Sequence, residues 1–148
     1  MVRDYKEEDF ASVCAIDKAA FVMREPEWFL KKAMRDGRTW VYEVDGQVVG
    51  FLVGKLKHST PYVHNVAVSK EFRNKGIAAA LFSKFEEHYG AAQKPENKMF
   101  WLQVNYHNPA QKLYFDLGYR VCFVDENYYG PSEHALCMYK SARPYSSL

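Results

Sequence analysis

Cysteine is scarce in this chain of 148 residues: Cys14, Cys122 and Cys137 stand far apart among apolar neighbours. An odd number at such spacing suggests neither a disulfide framework nor a zinc site, so no metal is expected and a reducing compartment fits best. An excess of charge of one sign is equally lacking. The 20 basic and 18 acidic residues leave a formal net charge of +2 and are mixed along the chain, so no nucleic acid partner is expected. No apolar run approaches the ~20 residues that span a bilayer, and "MVRDYKEEDF" carries charges where a signal peptide needs an apolar stretch. The expectation is a soluble, cytoplasmic protein with no membrane partner.

What is present is 48% hydrophobic and 16% aromatic, enough for one well-packed domain over residues 1–140, followed by a loose tail, "SARPYSSL", at 141–148. No internal repeat is apparent. A short strand at Val2 to Tyr5 precedes a helix with apolar residues at Phe10, Val13, Ile16 and Ala20, for which Asp9 is the expected cap. Pro26 opens a second helix that Gly37 ends. "TWVYEVD" and "QVVGFLVGKL" read as strands joined by a tight turn at Asp45 and Gly46, and "PYVHNVAV" as a third strand. A helix is expected from about Asn74 to Tyr89, then the strand "MFWLQV", a helix capped by Asn108 and ended by Gly118, the strand "YRVCFVD", a polar aromatic loop "ENYYGPSE" and a last strand. This order predicts an α/β fold with a mixed central sheet and helices on both faces.

Between "YVHNVAV" and the following helix lies "EFRNKGIAAALF", with one glycine and three consecutive alanines where larger side chains could pack. A helix that begins after a strand points unsatisfied N–H groups and the positive end of its dipole outward, and phosphate uses both. Gly76 and Ala78 keep that backbone accessible, while Arg73 and Lys75 supply charge at the rim. Small residues also let a helix pack closely on a sheet. The stretch lacks the further glycines of the dinucleotide fingerprint and the terminal Gly-Lys-Ser/Thr of a nucleotide P-loop.

The six residues Arg73, Asn74, Lys75, Gly76, Ile77 and Ala78 resemble the pyrophosphate loop of the GNAT family of N-acetyltransferases, which reads Arg or Gln, two residues, Gly, one residue, Gly or Ala. The resemblance runs from Val2 to about Lys140 and includes "VHNVAV" before the loop and "NYHNPAQKLYFDLGY" beyond it. It implies acetyl-coenzyme A lying where two parallel strands splay apart. The backbone of Val66, Ala67 and Val68 would face its acetyl and pantetheine portion, and the N–H groups from Asn74 to Ala79 would hold its diphosphate. Asn108 would steady the pantetheine arm, and Tyr114 would be the general acid for the leaving thiolate.

Acetyl transfer to an amine needs a neutral amine, a polarised thioester carbonyl and a proton for the thiolate. Relatives that acetylate protein N-termini often hold Glu or His where this chain has Gln103, which takes no proton near neutral pH. His64 stands where serotonin N-acetyltransferase has a histidine, and strand alternation puts it on one face with Tyr62 and Val66. His64 or an ordered water is therefore the expected base. "ENYYGPSEHALCMY" resembles the loop of ribosomal-protein and N-terminal acetyltransferases in which paired tyrosines meet the peptide. Tyr128 and Tyr129 would form one wall of an acceptor site, with Tyr62 opposite and Gln103, at the middle of the strand "WLQV", as a further substrate contact; packing of the loop is the other use of those rings. The expected acceptor is an amine-bearing peptide or protein, first a protein N-terminal α-amine. A small-molecule amine or polyamine is the alternative, which would call on Glu25, Glu27, Glu126 and Glu133.

Overall fold

The computed structural model describes residues 1–21 and 25–142. In chain order it contains β1 (Val2–Asp4), α1 (Phe10–Ala20), α2 (Glu27–Asp36), β2 (Arg38–Val44), β3 (Gln47–Lys57), β4 (Thr60–Val68), α3 (Ile77–Gly90), β5 (Met99–Asn105), α4 (Gln111–Asp116), β6 (Arg120–Gly130) and β7 (Glu133–Ser141). Among the described residues seven strands form one mixed sheet, in the order β1-β2-β3-β4-β5-β7-β6, with β4 and β5 as the parallel pair. The chain separates into two compact units. The first holds Met1–Leu56 and Val63–His88; the second holds Lys57–Tyr62 and the described residues from Tyr89 on. No described helix is long and apolar enough to cross a membrane.

In the first unit, apolar residues three and four apart put Val13 and Ile16 of α1, and Leu30, Ala33 and Met34 of α2, into one cluster with Val41, Phe51 and Val53. Burying each large side chain of this set contributes about 1.5–3 kcal/mol. Trp40, next to Val41 on β2, points the other way and meets Phe85 and His88 of α3 edge-on at 6.5 and 5.5 Å. Adjacent strand residues thus bury different helices, which places helices on both faces of this part of the sheet. The expected hairpin turn is present, with φ of 49° at Asp45 and 79° at Gly46.

Two helix starts differ from expectation. Asp9 does not cap α1; its carboxylate turns back, takes the Lys6 N–H at 2.8 Å and is forked by Arg3 at 2.8 and 2.9 Å. The helix that was to begin at Asn74 begins at Ile77, because Asn74 and Gly76 adopt φ of 62° and 79°, a left-handed geometry that a right-handed helix excludes.

The Arg3 bond, followed by the Lys6 N–H, holds the Asp9 carboxyl below the usual carboxylate range although Asp9 is only 5% exposed. A depressed carboxylate contributes stability above its unfolded titration near pH 4 and loses it as pH falls through the lower folded value. Asp9→Asn is therefore expected to cost about 1.5–3 kcal/mol at pH 7. Urea midpoints of parent and variant should be well separated at pH 7 and converge as the pH drops below 4; a gap independent of pH would contradict the charged origin of the effect.

In the second unit β5 alternates, with Phe100, Leu102 and Val104 buried. It pairs antiparallel with β7 so that Gln103 lies opposite Cys137 and Asn105 opposite Ala135. The segment expected as the loop "ENYYGPSE" is largely strand: β6 continues to Gly130, with its register against β7 broken between Asp125 and Gly130. Asn127, at φ 57°, absorbs that irregularity. Its N–H donates to His134 Nδ1 at 2.9 Å and its Oδ1 accepts the Ser132 N–H at 2.8 Å. Ser141 belongs to β7 and the Ala142 N–H donates to Lys98 O at 2.9 Å, so the expected tail starts later than residue 141. The remainder of that tail, 143–148, and residues 22–24 of "AAFVMREPEW", the first interhelical loop, which the family resemblance puts over the end of the acceptor site, lie outside the described residues.

Candidate active site

The bare turn lies in the first unit and leaves backbone donors open at the start of α3. Among the described residues no acceptor takes the N–H groups of Ile77, Ala78 and Ala79, whereas the Ala80 N–H already reaches Gly76 O at 3.1 Å. Three open donors therefore stand at the positive end of a 14-residue helix. Arg73, Asn74, Lys75 and Gly76 are all exposed, and a Cβ built on Gly76 would meet nothing within 4 Å. The space beside Gly76 is vacant backbone surface. Arg73 has a structural duty the sequence did not disclose: its Nε donates to Val68 O at 3.0 Å, fastening the loop to the end of β4. Lys75 Nζ lies 5.8 Å from the Phe72 ring centroid. A diphosphate fits this donor set, and so does the charge.

Along β4, Val66 is partly exposed while Ala67 and Val68 are buried. The His64 side chain is 10% exposed; its Nε2 lies 3.0 Å from Glu25 Oε2 and its ring stacks on Phe29 at 5.8 Å. Asn65 donates through Nδ2 to the buried Asp17 at 2.9 Å, tying β4 to α1. Neither the Glu25 nor the Asp17 contact has a local signature, since the partners stand 39 and 48 residues apart.

In the second unit, Tyr114 of α4 is 7% exposed, and burial pushes its hydroxyl up to about 12. The phenol therefore carries its proton at neutral pH. Asn108 stands ahead of α4 and not at its first turn: its Oδ1 accepts the Ala110 N–H at 2.9 Å. That leaves the amide's NH2 group, which can only donate. Asn105, which the sequence reading passed over, organises the same turn, accepting the His107 N–H at 2.9 Å and donating to Glu133 at 3.1 Å. A second asparagine three residues before Asn108 was its only signal.

Gln103 donates through Nε2 to Cys137 Sγ at 3.3 Å, leaving its Oε1 as an acceptor. Tyr62 stacks on Trp101 at 4.9 Å, and Trp101 on Tyr139 at 6.0 Å. Tyr128, 54% exposed, meets Tyr129 edge-on at 4.9 Å. Arg73 to Ala79, His64 and the end of β4 thus belong to one unit, and Tyr62, Gln103, Asn108, Tyr114, Tyr128 and Tyr129 belong to the other.

The chain is 29% identical over 143 residues to an uncharacterised N-acetyltransferase of Methanocaldococcus jannaschii, covering 95% of this chain and 90% of that one. It is 26% identical over 156 residues to an N-alpha-acetyltransferase of Sulfurisphaera tokodaii, covering 93% and 90%. Among solved structures it is similar to Ard1 of Thermoplasma volcanium, with a TM-score of 0.85, 25% identity and 95% of each chain covered. An aminoglycoside 6'-N-acetyltransferase complexed with coenzyme A shares the fold at 13% identity, with a TM-score of 0.81 and 97% and 98% covered. A family model described as an acetyltransferase (GNAT) domain matches residues 35–121, more than half of the chain and a stretch that includes Arg73 to Ala79. The protein therefore belongs to the GNAT family and is an acetyl-coenzyme A-dependent N-acetyltransferase.

Proposed function

We propose that the protein acetylates the N-terminal α-amine of a peptide or protein. The observation that carries this choice is the likeness, over nine-tenths of both chains, to the Sulfurisphaera N-alpha-acetyltransferase. A polyamine acceptor is disfavoured by what two of its four expected acidic residues already do: Glu25 binds His64 and Glu133 binds Asn105.

When bound, acetyl-coenzyme A supplies the thioester carbonyl that the amine attacks and the thiolate that leaves. In this reading the loop from Arg73 through Asn74, Lys75, Gly76, Ile77 and Ala78 to Ala79 holds the diphosphate through its N–H groups, supported by the three open donors of α3. The backbone of Val66, Ala67 and Val68 serves the acetyl and pantetheine portion. Asn108, one lone pair of its Oδ1 engaged, serves the pantetheine arm through its NH2 group as a donor to a carbonyl. Tyr114 gives its proton to the thiolate sulfur, and His64 takes one from the acceptor amine. Gln103 offers Oε1 to an amine N–H, while Tyr62, Tyr128 and Tyr129 supply aromatic surface and hydroxyls to the peptide.

The test is acetyl transfer to matched peptides with free and blocked N-termini, a lysine side-chain amine and spermidine. The free α-amine peptide is expected to show a kcat/KM at least about tenfold above the others, roughly 1.4 kcal/mol of transition-state preference. Faster transfer to spermidine, or to a peptide with a blocked N-terminus, would replace this reading.

A further inference from the structure

Two side chains of one short segment converge on the same ring. Glu25 precedes Pro26, whose carbonyl accepts the N–H groups of Phe29 and Leu30 at 2.9 and 3.2 Å and so opens α2. Glu25 approaches His64 Nε2 at 3.0 Å, and Phe29, four residues on, covers the ring at 24° between planes. Proline biases Glu25 towards extended backbone, and Leu30 and Ala33, 1% and 2% exposed, anchor the helix that follows. The carboxylate thus hangs from a fixed point. Of the two partners the imidazole is the sequestered one, 10% exposed against 48% for Glu25. Flipping the ring would break the carboxylate contact.

We propose that Glu25 is a positioning residue that sets the orientation and tautomer of His64, making Nδ1 the nitrogen that takes the acceptor's proton. This rests on the reading of His64 as the base. A carboxylate only accepts, so its partner Nε2 must carry a hydrogen, which leaves the ring's basic lone pair on Nδ1. The acceptor enters as an ammonium. One of its protons passes to Nδ1 and on to solvent, with the Glu25 carboxylate facing Nε2 throughout. The second proton that nitrogen sheds as the amide forms balances the one Tyr114 gives to the departing thiolate. The arrangement explains how a chain with Gln103 on β5 retains a titratable group for the amine: the carboxylate comes from the segment before α2 and works through an imidazole.

The experiment compares Glu25→Ala, His64→Gln and the double variant in kcat/KM, coenzyme affinity by calorimetry, and the 15N shifts of the His64 ring. Glu25→Ala is expected to lower kcat/KM about tenfold or more, with coenzyme affinity unchanged and the double variant no slower than His64→Gln alone, because residues acting as one unit are not additive. The ring spectrum should show a hydrogen on Nε2 in the parent and a mixture of tautomers in Glu25→Ala. Additive losses in the double variant, or a tautomer indifferent to Glu25, would overturn the proposal. Undiminished turnover in His64→Gln would overturn both it and the base assignment, while coenzyme binding and acetyl transfer would stand.

Discussion

Gly76→Val is expected to weaken acetyl-coenzyme A binding at least about tenfold while the protein remains folded. Two effects separate cleanly at this position. The first is strain: φ is 79°, where a β-branched side chain costs about 1–3 kcal/mol. The second is occupation of the proposed diphosphate site, since the added side chain enters open space one residue ahead of Ile77, where the unbonded N–H groups of α3 begin. Gly46 provides the control. It has the same φ of 79° and equally open surroundings, but lies in the β2–β3 turn. Gly46→Val should therefore lower the melting temperature comparably without touching coenzyme affinity. Equal affinity in both variants, measured by calorimetry on folded protein, would assign the bare turn to packing alone.

Tyr114→Phe is expected to reduce kcat by about 10 to 1,000-fold with little change in coenzyme affinity, because it keeps the ring and removes only the proton the thiolate needs. Burial raises the hydroxyl to about 12, so the phenol stays protonated across the working range. It follows that kcat of the parent should not fall on the alkaline side up to about pH 10 through loss of this proton. The measurement is single-turnover kinetics, which isolates chemistry from product release. A variant with parental single-turnover rates would leave the hydroxyl a packing role.

Features written in neighbouring residues were legible: the Asp45–Gly46 turn, the Pro26 start and Gly37 end of α2, and the alternation of β5 all follow from local chemistry. What was misread depended on partners distant in sequence or on dihedral angles. Asp9 has the composition of a cap, but Arg3 and the Lys6 N–H compete for its carboxylate and win with three bonds. Asn74 reads as a helix start, and only its positive φ moves the start to Ile77. In "ENYYGPSE" the turn-forming Asn, Gly and Pro suggested a loop, whereas bonds from Asn127 to His134 and Ser132 keep the segment in β6. The family was legible in the six contiguous residues from Arg73 to Ala78, and the assignment of Tyr114 rests on its place six residues after Asn108. Glu25 was visible only as one acidic residue among several, because its partner lies 39 residues on.

The stack of Tyr62, Trp101 and Tyr139 also divides the protein's optical signal. Trp101 lies within the second unit, between two phenol rings and with Lys57 Nζ 5.6 Å from its centroid. Trp40 is enclosed in the first unit, 4% exposed, and Trp28 stands 68% exposed beside Phe29, the ring that covers His64. With three tryptophans in the whole chain, each emits from a chemically distinct surrounding. An aqueous quencher reaches Trp28 first, so its emission reports the segment that carries Glu25, while energy passed from Tyr62 and Tyr139 to Trp101 reports the integrity of the other unit.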